Sequence, residues 1–178
     1  GLEQRNPYYL VQKIYLDAYK QVNTSIGEHY PEANLILNNR INNGTLVVNY
    51  IGHGNEKQLA TENIIDIPTI RSWNNKSKLP LFITATCEFS RFDDVNLAES
   101  KQVTSAGEEI ILNEHGGGIA LMTTTRQVSG SYNNVLNKAI FEYMFTKEYN
   151  TKKLRIGDIY WLAKNKASNT GNNWLKFT

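Results

Sequence analysis

Two residues of this chain have the chemistry of a covalent catalyst: its single cysteine, Cys87, and a histidine set between glycines, His53. A thiol becomes a strong nucleophile when a nearby base or cation supplies thiolate, and an imidazole can also hand a proton to a leaving amine. The interval between the two residues is about one strand–crossover–strand unit, which would set their strands side by side. Glycines flanking His53 allow the backbone to approach a substrate closely. The N–H groups of Gly54 and Cys87 are therefore expected to form an oxyanion hole for a tetrahedral intermediate. Each element alone has a plainer explanation. A lone cysteine is more often a small buried hydrophobe, and Gly52-His53-Gly54 can simply end a strand. Their shared position just after strand-like runs is what favours chemistry.

Charged residues gather after the same runs. Glu56 follows His53, and Glu88, Asp93 and Asp94 follow Cys87. The acids near Cys87 read first as a hydrated loop, with a structural calcium or a basic substrate group as alternatives. Arg126 follows a third run and can pair with Glu88 or Asp93, or hold a substrate carboxylate, the internal pair being favoured. One histidine and one cysteine fall short of the three protein ligands of a catalytic zinc site, so no metal centre is expected. His29 is expected in a loop before a helix, and His115 at a helix end. Gly116-Gly117-Gly118 precedes a strand, whereas a phosphate loop follows one and opens a helix, so nucleotide binding is not expected.

The elements that must carry these residues are legible in outline. Thr45–Ile51, Leu81–Thr86 and Gly118–Thr125 are near-continuous apolar runs bounded by turn residues, the pattern of strands covered on both faces in a parallel sheet. Apolar spacing predicts helices over Pro7–Val22 and from Pro31 to about Ile41, the latter closed by Asn42-Asn43-Gly44. Ser105 and Glu108 form a capping box for a helix over Ala106–Glu114. Tyr132–Tyr149 and Ile156–Lys166 complete the series. The order α-α-β-α-β-α-β-α-α predicts a three-layer α/β/α sandwich with a mainly parallel sheet. In such sheets ligands bind beyond the carboxyl ends of the strands, where Cys87, His53 and Arg126 all fall.

The 178 residues suffice for one domain, and 40% hydrophobic with 20% charged residues excludes a disordered chain. The net charge of +2 comes from 19 basic and 17 acidic residues without a basic run, so no nucleic-acid partner is expected. No apolar stretch approaches the roughly 20 residues that span a bilayer. A start at Gly1 suggests a processed or excised piece of a longer protein.

Asn49-Tyr50-Ile51-Gly52-His53-Gly54 and the block from Leu79-Pro80 through Ala85-Thr86-Cys87-Glu88-Phe89-Ser90 to Asp93-Asp94 resemble the His and Cys blocks of the gingipain family. Lys13-Ile14-Tyr15, Ser105-Ala106-Gly107-Glu108, Gly116–Leu121 and Thr123-Thr124-Thr125-Arg126 are similar to its sortase-like branch in the type IX secretion system of Bacteroidetes. The resemblance implies a caspase-like fold and a Cys87–His53 dyad that needs no cofactor. It also implies a cysteine endopeptidase or transpeptidase that removes the C-terminal signal domain of secreted cargo through a Cys87 thioester. Water, or an amine acceptor on an anionic lipopolysaccharide, would resolve the thioester. The implied setting is the cell surface or outer membrane, with secretion partners there. Gingipain-type catalytic domains carry two α/β subdomains, so residues 1–178 read as the single Cys- and His-bearing unit, without the first subdomain or the downstream region. Asn55 stands where the sortase-like branch often has another glycine. A catalytically weak module that binds cargo or secretion partners is the alternative.

Overall fold

The computed structural model describes residues 2–25, 27–96, 98, 101–146 and 153–168. The chain opens with a short helix α1 (Leu2–Arg5), a single 3₁₀ turn at Leu16–Ala18, and an antiparallel pair, β1 (Val22–Thr24) with β2 (Gly27–His29). Then follow α2 (Pro31–Asn43), β3 (Val47–Ile51), the small antiparallel pair β4 (Gln58–Leu59) and β5 (Ile65–Asp66), and α3 (Ile67–Ser72). Next are β6 (Leu81–Ala85), a second small pair, β7 (Val95–Asn96) and β8 (Lys101–Gln102), and α4 (Ala106–Leu112). The order closes with β9 (Ala120–Met122), α5 (Gly130–Met144) and α6 (Ile156–Ser168).

The three apolar runs form one sheet in the order β3-β6-β9, parallel throughout. Alternation along the strands assigns its two faces. Phe82, with Val48, Tyr50 and Leu121, packs against Ile41 of α2, Ile70 of α3 and Ile110 of α4. Leu81 and Ile83, with Val47 and Met122, pack against Leu136 and Ile140 of α5 and Ile159 and Ala163 of α6. Helices thus cover both faces, the predicted three layers. Trp73 stacks on Phe82 with ring centroids 5.6 Å apart and donates Nε1–H to Asn38 Oδ1 at 2.7 Å.

Local signals explain most boundaries. Pro31 sits in the first turn of α2, and Gly44 ends it at a positive φ of 107°, its N–H reaching the carbonyls of Arg40 and Ile41. The Ser105–Glu108 capping box is present, and α4 stops at Leu112. The helix expected over Tyr132–Tyr149 runs over Gly130–Met144, and residues 147–149 lie outside the described residues.

The helix expected over Pro7–Val22 is absent. In its place the segment has a turn closed by the Tyr9 N–H on the Asn6 carbonyl and the 3₁₀ turn at Leu16–Ala18, and Val22 opens β1. Its tyrosines and β-branched residues lose χ1 freedom in a helix. Nor do the apolar positions share a buried face: Tyr8, Leu10 and Tyr15 are exposed while Leu16 packs on the core. The third run is also shorter than Gly118–Thr125, because Thr124 leaves the ladder and its carbonyl accepts from the Ser90 N–H at 3.0 Å.

Candidate active site

His53 and Cys87 leave adjacent parallel strands at the same edge and in register. Ile51 of β3 is paired with Ala85 of β6, and each candidate residue lies two positions beyond its member of that pair. Neighbouring strands run about 4.8 Å apart, so the strand ends from which the two residues depart are adjacent. The Gly52 N–H still bonds to the Ala85 carbonyl at 3.3 Å, extending the ladder past the last paired residues.

Beyond it the His53 segment turns into a tight arm. The His53 carbonyl accepts from the Ala60 N–H at 2.9 Å and from the Tyr50 hydroxyl at 2.6 Å. Burial pushes the Tyr50 hydroxyl up to about 12, so it stays protonated, and a donor, at neutral pH. Asn55 Oδ1 accepts from the N–H groups of Lys57 and Gln58, an Asx turn that glycine at this position could not make. The arm closes through Asn55 N–H to the Gln58 carbonyl. Gly54 and Leu59 therefore face each other as a non-hydrogen-bonded antiparallel pair, and the Gly54 N–H points away from Leu59. A Cβ on Gly54 would stand 2.5 Å from Thr86 Oγ1, so the His53 arm lies directly against the residue before Cys87. The His53 imidazole is exposed, and among the described residues no carboxylate hydrogen-bonds it.

Cys87 is half-buried. Its thiol points to the Val128 carbonyl at 3.7 Å, just before the N-terminus of α5. Glu88 follows in a left-handed conformation, φ 52°, which sharply turns the chain off β6. The turn is held at several points. The Glu88 N–H meets the Arg126 carbonyl at 3.4 Å, and the Gly107 N–H of α4 donates to the Phe89 carbonyl at 2.9 Å.

Every acid of this loop has a basic partner. Glu88 and Asp94 both pair with Arg91 at 3.5 Å. Arg126 grips Asp93 through two hydrogen bonds, at 2.9 and 2.5 Å, so of the two carboxylates considered for it the structure selects Asp93. Those bonds, and the guanidinium charge, hold the Asp93 carboxyl below its ordinary value. Glu56 stays with its own loop: its carboxylate lies 4.0 Å from Lys57, and its carbonyl accepts from the Ala106 N–H at 2.7 Å. No group of three potential metal ligands gathers among the described residues.

Beneath Cys87 lies a polar cluster that the apolar-run reading concealed. Thr84, Thr86, Thr123, Thr124, Thr125 and Asn133 are all buried at the carboxyl ends of β6 and β9 and the start of α5. Thr84 and Thr123 share a hydrogen bond of 2.6 Å. The Thr86 carbonyl accepts from Thr124 Oγ1 at 2.8 Å and from Asn133 Nδ2 at 3.1 Å. Asn137, one turn on, donates Nδ2–H to Asn49 Oδ1 at 2.7 Å and ties α5 to β3. The only advance signal was three polar threonines ending an otherwise apolar strand.

The sequence profile of peptidase family C25 matches residues 1–178. The complex of Porphyromonas gingivalis RgpB pro- and mature domains aligns with a TM-score of 0.65 at 18% identity, covering 76% of this chain and 31% of that one. The Arg-specific cysteine proteinase gingipain R aligns with a TM-score of 0.60 at 17% identity, covering 79% and 32%. A structure described as a protease gives 0.53 at 16% identity, covering 77% and 34%. The chain spans about a third of the length of these structures. No match was found among curated protein sequences. The shared fold is the α/β arrangement of β3-β6-β9 flanked by helices, and with a family profile matched from end to end, the chain belongs to peptidase family C25, the gingipain family of cysteine peptidases.

Proposed function

We propose that the protein containing this chain is a cysteine peptidase in which Cys87 attacks the scissile carbonyl and His53 protonates the departing amine. The carrying observation is the parallel register of β3 and β6, which sends His53 and Cys87 off the same sheet edge at matched positions. Cys87 Sγ bonds to the carbonyl carbon, the peptide C–N bond breaks, and a thioester remains. The N–H groups of Gly54 and Cys87 would receive the oxyanion, and the Asp93–Arg126 pair would brace the Cys87 loop. This chemistry requires no cofactor, and Glu88, Asp93 and Asp94 are paired with Arg91 and Arg126.

The finer reading is a PorU-like sortase of the type IX secretion system, acting at the outer membrane or cell surface. It would cleave the C-terminal signal domain of secreted cargo and pass the thioester to water or to an amine on anionic lipopolysaccharide. Family membership and the residues of the Cys block support that reading. The parts of the relatives that lie beyond this chain's length would complete the substrate cleft.

The test is alkylation of Cys87 by iodoacetamide in the intact protein, wild type against His53→Ala, from roughly pH 5 to 9. We expect the variant to be slower by about tenfold or more near neutrality, because the imidazole no longer stabilises thiolate. Equal rates in the two proteins would reject the dyad and favour a cargo-binding module without catalysis.

A further inference from the structure

The grip on the Thr86 carbonyl carries an inference about the reaction, one that rests on the reading of Cys87 as an acyl-accepting nucleophile. A planar trans peptide sets its C=O and N–H in opposite directions, and no cis bond occurs among the described residues. Fixing the Thr86 oxygen therefore fixes the Cys87 N–H. Two donors from two different elements hold that oxygen: Thr124 Oγ1 from just past β9 and Asn133 Nδ2 from the first turns of α5. Both side chains are buried, Thr124 at 0% and Asn133 at 5% exposure, so solvent does not compete for the bonds. The carbonyl is pulled inward, toward β9 and α5, and the Cys87 N–H is left directed away from both.

Donors aimed at developing charge contribute most when they are preorganised, because no reorientation is then required during the reaction. The peptide before Cys87 also lies just past β6, which ends at Ala85, and Glu88 adopts its left-handed conformation directly afterwards. Without an anchor this plane would be the natural place for the backbone to rock. We propose that Thr124 and Asn133 are positioning residues that lock the Thr86–Cys87 peptide plane, so that the Cys87 N–H is held ready as an oxyanion donor.

The proposal separates two reactions of the same thiol. Acylation by p-nitrophenyl acetate places negative charge on a carbonyl oxygen. Sγ bonds to the acetyl carbon, the ester C–O bond breaks, and p-nitrophenolate leaves. Alkylation by iodoacetamide displaces iodide at a saturated carbon and creates no oxyanion. Both rates would be measured on Cys87 in the intact protein, with Cys87→Ala as blank, for wild type, Asn133→Ala, Thr124→Val and Thr124→Ser. Losing a whole oxyanion donor lowers rates by roughly 100- to 1000-fold. A donor set loose rather than removed should lower acylation about tenfold in Asn133→Ala and Thr124→Val, with alkylation within about twofold of wild type. Thr124→Ser keeps the hydroxyl and should keep both rates.

Acylation unchanged in the first two variants would overturn the proposal. So would a parallel fall of both reactions, which would mean general disorder at the site, and so would a Thr124→Ser protein as impaired as Thr124→Val. If wild type acylates no faster than Cys87→Ala, the nucleophile reading itself fails and this inference falls with it.

Discussion

Gly54 is occupied on every side where a side chain would go. An added Cβ would meet Thr86 Oγ1 at 2.5 Å and the Gln58 carbonyl at 3.0 Å, so the contact between the His53 arm and the Cys87 strand depends on a bare Cα. Asp93 works through charge instead. Its two bonds from Arg126 hold its carboxyl below the ordinary value of 3.8. A depressed folded-state pKa gives a contribution that is complete above the unfolded value and lost as pH falls through the folded one. The brace on the Cys87 loop is thus expected to persist to about pH 4 and to release below it. Carbon-detected titration of the Asp93 carboxyl checks this: Arg126→Gln should move its midpoint upward, and an unmoved midpoint would refute the assignment. At this scale the sequence was enough to place Cys87, His53, Gly54 and Arg126 just past strand ends, which is where β6, β3 and β9 leave them. It did not disclose Thr124 or Asn133, since a buried threonine ending a strand looks like any β-branched residue until its hydroxyl partner is known.

Among the elements, the turn into β9 is clamped at Gly117 by one side chain. Asn75 is 2% exposed; its Oδ1 accepts from the Gly117 N–H at 2.8 Å, and its Nδ2 donates to the Gly117 carbonyl at 3.0 Å. Gly117 itself has φ 101°, and a Cβ there would lie 2.0 Å from the Ile110 carbonyl, so this bend needs both glycine and its asparagine clamp. Asn75→Ala leaves two buried backbone groups unpaired and should lower stability by about 2–4 kcal/mol. Chemical denaturation would show it as a lower midpoint at unchanged slope, and a shift under about 0.5 kcal/mol would contradict the argument. The three sheet strands and α2, α4, α5 and α6 were readable from apolar spacing and caps. The N-terminal segment was not, because its spacing imitates a helix while Tyr8, Leu10 and Tyr15 lie in solvent. The two-residue strands β4, β5, β7 and β8 are too short to carry any periodicity.

At the scale of the molecule, one sheet separates two cores of different character. The face of α2, α3 and α4 buries the rings of Trp73, Phe82 and Phe89, whereas the buried residues on the face of α5 and α6 are leucine, isoleucine, methionine and alanine, with Phe141, Tyr143 and Tyr160 only partly buried around them. The three-layer plan followed from the order of elements, but which helices would cover which face did not, because strand parity is fixed only once register is known. The arrangement has a consequence for how the protein would fail. Since α5 supplies Asn133 to the Thr86 carbonyl and Asn137 to Asn49, partial opening of that helix disconnects the site from its support while β3, β6 and β9 remain paired. Protein segments open locally at lower free energy than the whole. In mild urea, acyl transfer should therefore fade in step with hydrogen exchange of the α5 amides, ahead of exchange in β6. Acyl transfer that survives until β6 itself exchanges would show that the helix is no weak point. If the expectation holds, the working range of the protein is set by its least protected helix and not by its melting temperature.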